Sequence, residues 1–226
     1  MSNLEVLGDL KYTRSENTFI IEHFNKPYLE VLELQNTLNT FVYENPEYRF
    51  FILTSHEECL TMGRGLREND IKKYELIEDS MDDLVKSNLQ IHQLKRGGGM
   101  TFHHPGQLVI YPILSITKEK KSSLELMDWL FRIIIDAVYE LTDIKLEIRH
   151  DLLGLWHGDK KVCSMGIELN RYVTKHGLAL NLSFEKELTD KLKSIHPCGL
   201  SFSNYQSLEL TDKDQLISSV IERLVY

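Results

Sequence analysis

Cysteine is scarce: Cys59, Cys163 and Cys198 are the only three in 226 residues. Three is too few and too odd a number for a disulfide framework, and no C-x-x-C pair is present, so free thiols in a reducing compartment are expected. Long apolar runs are missing as well. No stretch approaches the roughly 18 apolar residues of a membrane span, and the opening Met1 to Leu10 is acidic rather than basic, unlike a targeting leader. The expectation is a cytoplasmic protein without a membrane partner. No Gly/Ser/Pro-rich linker, low-complexity tract or internal repeat divides the chain, which leaves one domain over residues 1–226. Positive charge is not in excess either. Lys and Arg total 26 against 34 Asp and Glu, a formal net charge of -8, which argues against nucleic acid as a partner and requires an acidic protein to meet a local basic patch.

What is present patterns as helices and strands in alternation. Tyr28 to Phe41 follows Pro27, a favoured first-turn residue, and sets Tyr28, Val31, Leu32, Leu38 and Phe41 at helical spacing. Leu124 to Leu141 carries the apolar stripe Met127, Leu130, Phe131, Ile134, Val138, Leu141 and the polar face Asp128, Arg132, Asp136, Glu140. Ser122 with Glu125 three residues later predicts a capping box at its start. Strands are predicted at Tyr48–Ser55, Leu89–Leu94, Leu108–Ile116, Lys161–Leu169 and Leu178–Leu182. They stand too close together for regular helical crossovers, so the fold class expected is α+β, a mixed and mostly antiparallel sheet flanked by helices. Pro112 predicts an edge strand or a bulge.

The run Arg96-Gly97-Gly98-Gly99-Met100-Thr101-Phe102-His103-His104-Pro105-Gly106-Gln107 lies between two predicted strands. Adjacent glycines let backbone approach a ligand closely. Phe102 stands where a dinucleotide fingerprint needs its last Gly. Adjacent His103 and His104 would point to opposite faces of a strand, so no metal is expected. Further on come Lys161-Val162-Cys163-Ser164-Met165-Gly166, Thr174-Lys175-His176-Gly177-Leu178-Ala179-Leu180-Asn181 and Ile195-His196-Pro197-Cys198-Gly199-Leu200. Cys198, between a proline and a glycine, suits an accessible nucleophile. Cys163 competes with it, because residues 161 and 163 of a regular strand share one face and its thiol would lie near the Lys161 ammonium. Cys59 reads as buried. A thiol of pKa about 8.5 is only about 3% ionised at pH 7, and a close ammonium raises that fraction.

Taken in order, the four runs resemble the R-G-G-x-x-T-Y/F-H-G-P-G-Q-L, K-I/V/L-A/C-S/A-I/V/L/M-G, T-x-H-G-L/I/F-A-L/I-N and I-x-P-C-G-L elements of the octanoyl-acyl carrier protein:protein octanoyltransferases, within the biotin and lipoate protein ligase superfamily. His104 departs from the usual Gly, and the triple glycine is similar to that of lipoate-protein ligases. The ligases' K-I/L-S-G-S-A run is absent. The resemblance implies a biotin/lipoate protein ligase-like fold and transfer of octanoyl from acyl carrier protein to a lysine of lipoyl domains, those of 2-oxoacid dehydrogenase complexes and the glycine cleavage H protein. It assigns Cys198 as nucleophile and Lys161 as its cation and general base. Acyl binding falls to Arg96, Gly97, Gly98, Gly99, Met100, Thr101, Phe102, His103, Ser164, Met165, Gly166, Gly177, Leu178 and Ala179. No cofactor or metal is expected, and the protein is expected to be a monomer. Acidic partners would dock near Arg64, Arg67, Lys72, Lys73, Lys95 and Arg96. The alternatives are an ATP-dependent lipoate or biotin protein ligase, an amidotransferase, and a non-catalytic acyl-binding protein.

Overall fold

The structure is a computed structural model that describes residues 4–64, 89–185, 204–210 and 212–225. In chain order its elements are β1 Tyr12–Ser15, β2 Thr18–Glu22, α1 Tyr28–Glu44, β3 Arg49–Thr54, β4 Cys59–Met62, β5 Gln90–Gln93, β6 Met100–His103, β7 Gln107–Ile113, α2 Ile116–Glu119, α3 Ser123–Thr142, β8 Glu147–Arg149, β9 Gly154–His157, β10 Lys160–Asn170, β11 Val173–Asn181 and α4 Lys213–Val225. An eight-stranded sheet in the order β1-β2-β3-β7-β11-β10-β9-β8 forms the body, and a three-stranded sheet β5-β4-β6 stands beside it. Pairing is antiparallel apart from β2 with β3 and β4 with β5, the mixed, mostly antiparallel α+β arrangement expected.

Helices cover both faces of the large sheet. On one face α3 and α4 bury Leu126, Leu130, Phe131, Ile134, Val138, Leu216 and Val220 against Phe51, Leu108, Cys163, Met165 and Leu178. On the other, α1 packs Val31, Leu38 and Val42 against Phe19, Ile52, Val109 and Tyr111. Alternation along each strand feeds both cores, which is why the interior strands read as continuous apolar runs. The predicted capping box closes α3: Ser122 Oγ accepts from Glu125 N at 3.2 Å, and Glu125 Oε2 accepts from Ser122 N at 2.7 Å. The helix ends at Asp143, in the left-handed region at φ 57°.

Pro112 does not lie on an edge. Its strand β7 is interior, paired with β3 and β11. The ladder to β11 lapses beyond Ile110↔Leu178 and resumes at the Ser115↔Val173 bridge in an unchanged register. No extra residue is therefore inserted. The sheet accommodates a residue without an amide proton by interrupting pairing. Opposite the gap, the His176 amide donates to Gln35 Oε1 at 2.7 Å instead, and Thr174 Oγ1 donates to the Pro112 carbonyl at 2.6 Å.

Candidate active site

β10 and β11 pair Ser164 with Ala179 and Gly166 with Gly177. Gly166 and Gly177 let neighbours close in, since a β-carbon on Gly166 would meet the Gly97 carbonyl at 2.6 Å and the Arg96 side chain at 3.2 Å, and one on Gly177 would meet the Ile110 carbonyl. A small cavity opens beside them, about 280 Å³ only when the open space at its mouth is counted, lined by Tyr28, Arg96, Thr101, His103, Tyr111, Ser164, Met165, Gly166, His176, Gly177, Leu178 and Ala179. The structure thus brings nine of the residues expected to bind acyl to one cavity: Arg96, Thr101, His103, Ser164, Met165, Gly166, Gly177, Leu178 and Ala179. Met100 and Phe102 pack with Leu60 in the small core of the three-stranded sheet. Gly97 lines an outer groove with Arg64, Lys95, Met127, Leu153 and Leu169, its amide bonded to the Ile167 carbonyl at 3.0 Å.

Arg96 is not a docking residue. It is 5% exposed, and its guanidinium lies inside the glycine loop. Nη1 donates to the carbonyls of Gly97 and Gly99, each at 3.0 Å. Nη2 reaches Thr61 O at 3.0 Å, Thr61 Oγ1 at 2.7 Å and Thr101 Oγ1 at 3.0 Å. A planar fork with several donors ties the loop to β4 and β6. Gly98, at φ +76°, makes the tight turn around it.

The inner end of the cavity is a cluster of rings that sequence reasoning did not assemble. Tyr28 Oη meets His176 Nδ1 at 3.2 Å, and His176 Nε2 lies 3.4 Å from Glu168 Oε2. Tyr111 Oη meets His56 Nε2 at 2.8 Å, and His56 Nδ1 lies 3.2 Å from the Lys26 carbonyl. His103 contacts Gln107 Oε1 at 3.1 Å and Thr61 Oγ1 at 3.3 Å. Burial pushes the His56 pKa down to about 4, only partly offset by the bond to Lys26. Burial, then His56 and Arg96, hold His103 well below the usual histidine range. His176 is also lowered, chiefly by burial and against the pull of Glu168. Burial raises the Tyr28 and Tyr111 hydroxyls. The end wall is uncharged at neutral pH. No three His, Cys, Asp or Glu side chains among the described residues are arranged to hold a metal ion.

Lys161 is 3% exposed and does not line this cavity. The β9–β10 register shifts between Lys161 and Cys163, a bulge that breaks the alternation assumed from sequence. Val162 and Cys163 both enter the core, while Lys161 Nζ donates to the Leu152 carbonyl at 3.0 Å and lies 5.9 Å from the Trp156 ring centroid. Burial pushes the Cys163 thiol up to about 12, outweighing the nearby Lys161 ammonium. This thiol is fully enclosed, which removes it as an accessible nucleophile. Cys59 is buried as expected, its pKa raised to about 12 by burial. Cys198, like Arg67, Lys72 and Lys73, lies outside the described residues. Tyr205, seven positions after Cys198, forms a parallel bridge with Lys161, and Gln206 N donates to the Lys161 carbonyl at 3.0 Å.

Residues 27–225 match the family described as the lipoyl protein ligase A/B catalytic domain. The octanoyltransferase of Clostridium kluyveri is 34% identical over 193 residues, covering 84% of this chain and 78% of its own length. That of Leptospira interrogans is 32% identical over 217 residues, covering 91% and 94%. Among solved structures, lipoate-protein ligase A bound with ATP superposes with a TM-score of 0.63 at 11% identity, covering 93% of this chain and 84% of that one. The putative lipoate protein ligase of T. acidophilum with bound lipoic acid gives a TM-score of 0.62 at 10% identity, covering 90% and 83%. At such identities these structures speak to the fold alone.

Proposed function

From its place in the lipoyl protein ligase A/B catalytic-domain family, to which the chain belongs, we propose that it transfers octanoyl from octanoyl-acyl carrier protein to a lysine of a lipoyl domain, with Cys198 as the transient acyl carrier. The observation that carries the reading is the small cavity beside Ser164, Gly166, Gly177 and Ala179, with a ring-built wall that is uncharged and a lining drawn mostly from the runs that match the octanoyltransferase motifs. Relatives named octanoyltransferase at 34% and 32% identity over most of the chain support the choice of acyl group.

In the first half-reaction the Cys198 thiolate attacks the thioester carbonyl of the donor. The carbon–sulfur bond to the carrier's thiol breaks, and that thiol leaves with a proton supplied by Lys161. In the second, the neutral acceptor amine attacks the Cys198 thioester. The carbon–sulfur bond breaks, an amide forms, and the proton lost from the amine returns to Lys161. The balance needs no nucleotide or cofactor. Support for Lys161 as the proton carrier comes from its burial beside the chain that follows Cys198.

The acceptors are proposed to be the lipoyl domains of 2-oxoacid dehydrogenase complexes and the glycine cleavage H protein, with a cytoplasmic monomer as the working form. Among the described residues no helix is long and apolar enough to cross a membrane. For the donor, the groove lined by Arg64, Lys95, Met127, Leu153, Glu168 and Leu169 combines two basic residues against one carboxylate with apolar surface next to Gly166, which also lines the acyl cavity. It suits an acidic carrier.

Intact-mass spectrometry after mixing the enzyme with octanoyl-acyl carrier protein and no nucleotide tests the reading. The expected result is one octanoyl adduct, absent in Cys198→Ala, retained in Cys163→Ala and discharged by a lipoyl domain. An adduct that moves to Cys163, or amide formation that requires ATP, overturns it.

A further inference from the structure

The small-residue strip has a direction. On β10 it runs from Lys161 past Ser164 to Gly166, and on β11 from Ala179 to Gly177 and His176. The cavity begins at Ser164 and Ala179, beyond Lys161, and meets Tyr28 and His176 on its other side. Three steps of strand separate Lys161 from Ser164, about 10 Å before the bulge shortens it, so the cavity lies where the far part of a chain attached near Lys161 would reach. We propose that Tyr28 is the closed end of the acyl channel and sets the length of chain accepted, and that Glu168, acting through His176, is the positioning residue that holds it there.

Tyr28 has the fixity such a stop requires. Its ring stacks on His92 at 5.0 Å and on His103 at 5.7 Å, and tilts against His56 at 5.0 Å. Its hydroxyl is tied to His176. Glu168 is the acceptor at His176 Nε2, which places the ring proton there and leaves Nδ1 to accept from Tyr28. Lys175 Nζ holds the other carboxylate oxygen at 3.6 Å. His176 stands at φ 58°, a conformation that is uncommon for this residue type and is maintained here across the gap opposite Pro112.

The same bonding makes the wall suitable for an alkyl terminus. Tyr28 is bonded to His176, Tyr111 to His56, and His103 to Gln107 and Thr61. A methyl group arriving there displaces no hydrogen bond of these side chains, so burying it is not opposed by desolvation. The end wall is built of polar residue types yet behaves as an apolar surface of fixed position.

The inference rests on the octanoyl-transfer reading, and the test separates the two. kcat/KM is measured for hexanoyl, octanoyl, decanoyl and dodecanoyl carrier protein with a lipoyl domain as acceptor. Removing the ring in Tyr28→Ala is expected to raise the decanoyl-to-octanoyl ratio about tenfold, the value of burying two further methylenes. Tyr28→Phe, which keeps the ring but loses its tie to His176, is expected to move the ratio only by the small factor that Glu168→Gln does. Glu168→Gln should shift the ratio in the same direction by a smaller factor, and should add nothing in a Tyr28→Ala background. A purely structural role would lower all chain lengths together. If Tyr28→Ala fails to fold, Tyr28→Leu is read by the same ratio. An unmoved ratio in a folded variant overturns the length stop while leaving octanoyl transfer standing. An unsubstituted enzyme inactive with every chain length overturns the functional reading itself.

Discussion

Lys161 lies across Gly154: its Cε stands 2.6 Å from where a β-carbon on Gly154 would be, and the Cys163 carbonyl is closer still. The proposed proton carrier is thus seated on a strand position that tolerates no side chain. Gly154→Ala is expected to displace the ammonium, and displacements of about 1 Å in a reacting group can cost on the order of a hundredfold in rate. Overpacking against the Cys163 backbone adds a loss of about 1–3 kcal/mol in stability. Single-turnover transfer, assayed well below the variant's melting temperature, separates the two effects. Full transfer by a folded Gly154→Ala would show that the seat of Lys161 is irrelevant to the chemistry.

Arg96 holds the glycine loop from inside, so its loss differs from that of a surface charge. Arg96→Lys supplies one compact ammonium where a fork now meets Thr61, Gly97, Gly99 and Thr101, and leaves buried acceptors unpaired. A destabilisation of about 2–4 kcal/mol is expected from urea unfolding, with slower transfer at every salt concentration. A loss confined to low salt would place Arg96 at the partner surface instead.

Much of this was legible locally. Ser122 and Glu125 announced the start of α3, and the apolar runs located β3, β5, β7, β10 and the end of β11. The strands that went unread, among them β1, β6 and β9, are four residues long, as β5 is, but lack the flanking pair Leu89 and Leu94 that extended the alternation around β5. The residues Val173 to Gly177 hid the first half of β11 because a lysine, a histidine and a glycine interrupt its run. Helix α4 did carry a signal. Leu216, Val220 and Leu224 recur every fourth position behind Asp212, whose Oδ1 accepts from Gln215 N at 2.9 Å. The ring cluster carried only part of one, in His103 and His176 of the quoted runs. Tyr28 and His176 are 148 residues apart, His56 sits in no motif, and Tyr28 read as one member of a helical stripe. Only the pairing of β11 beside β7, with α1 laid over them, brings these groups together.

Arg64 and Lys95 are the basic residues of the expected docking set that line one groove, with Met127 and Leu169. On a chain of net charge -8, a local positive pair steers an acidic carrier against general repulsion. Arg64→Glu with Lys95→Glu should lower kcat/KM for octanoyl-acyl carrier protein about tenfold or more at low salt, with the deficit shrinking as salt screens the charges. Stopped-flow acylation across a salt series reports it. Equal rates at low salt would remove this groove as the docking site.

Buried neutral histidines predict acid sensitivity with a defined sign. His56 and His104 are both held down to about 4 by burial, and His103 lies well below the ordinary histidine value. In the unfolded chain each titrates near 6.5. Between about pH 6.5 and pH 4 the unfolded state binds protons that the native state refuses, so stability is full above the unfolded value and falls as pH drops through this window. Each such histidine contributes a slope of up to about 1.4 kcal/mol per pH unit. Urea midpoints are therefore expected to decline steadily below about pH 6.5, before carboxylate titration begins, and His56→Gln should flatten the slope by about one proton's worth. Stability that stays level from about pH 7 to about pH 5 would mean that these imidazoles accept protons in the folded protein, and with that the uncharged end wall of the channel would be lost.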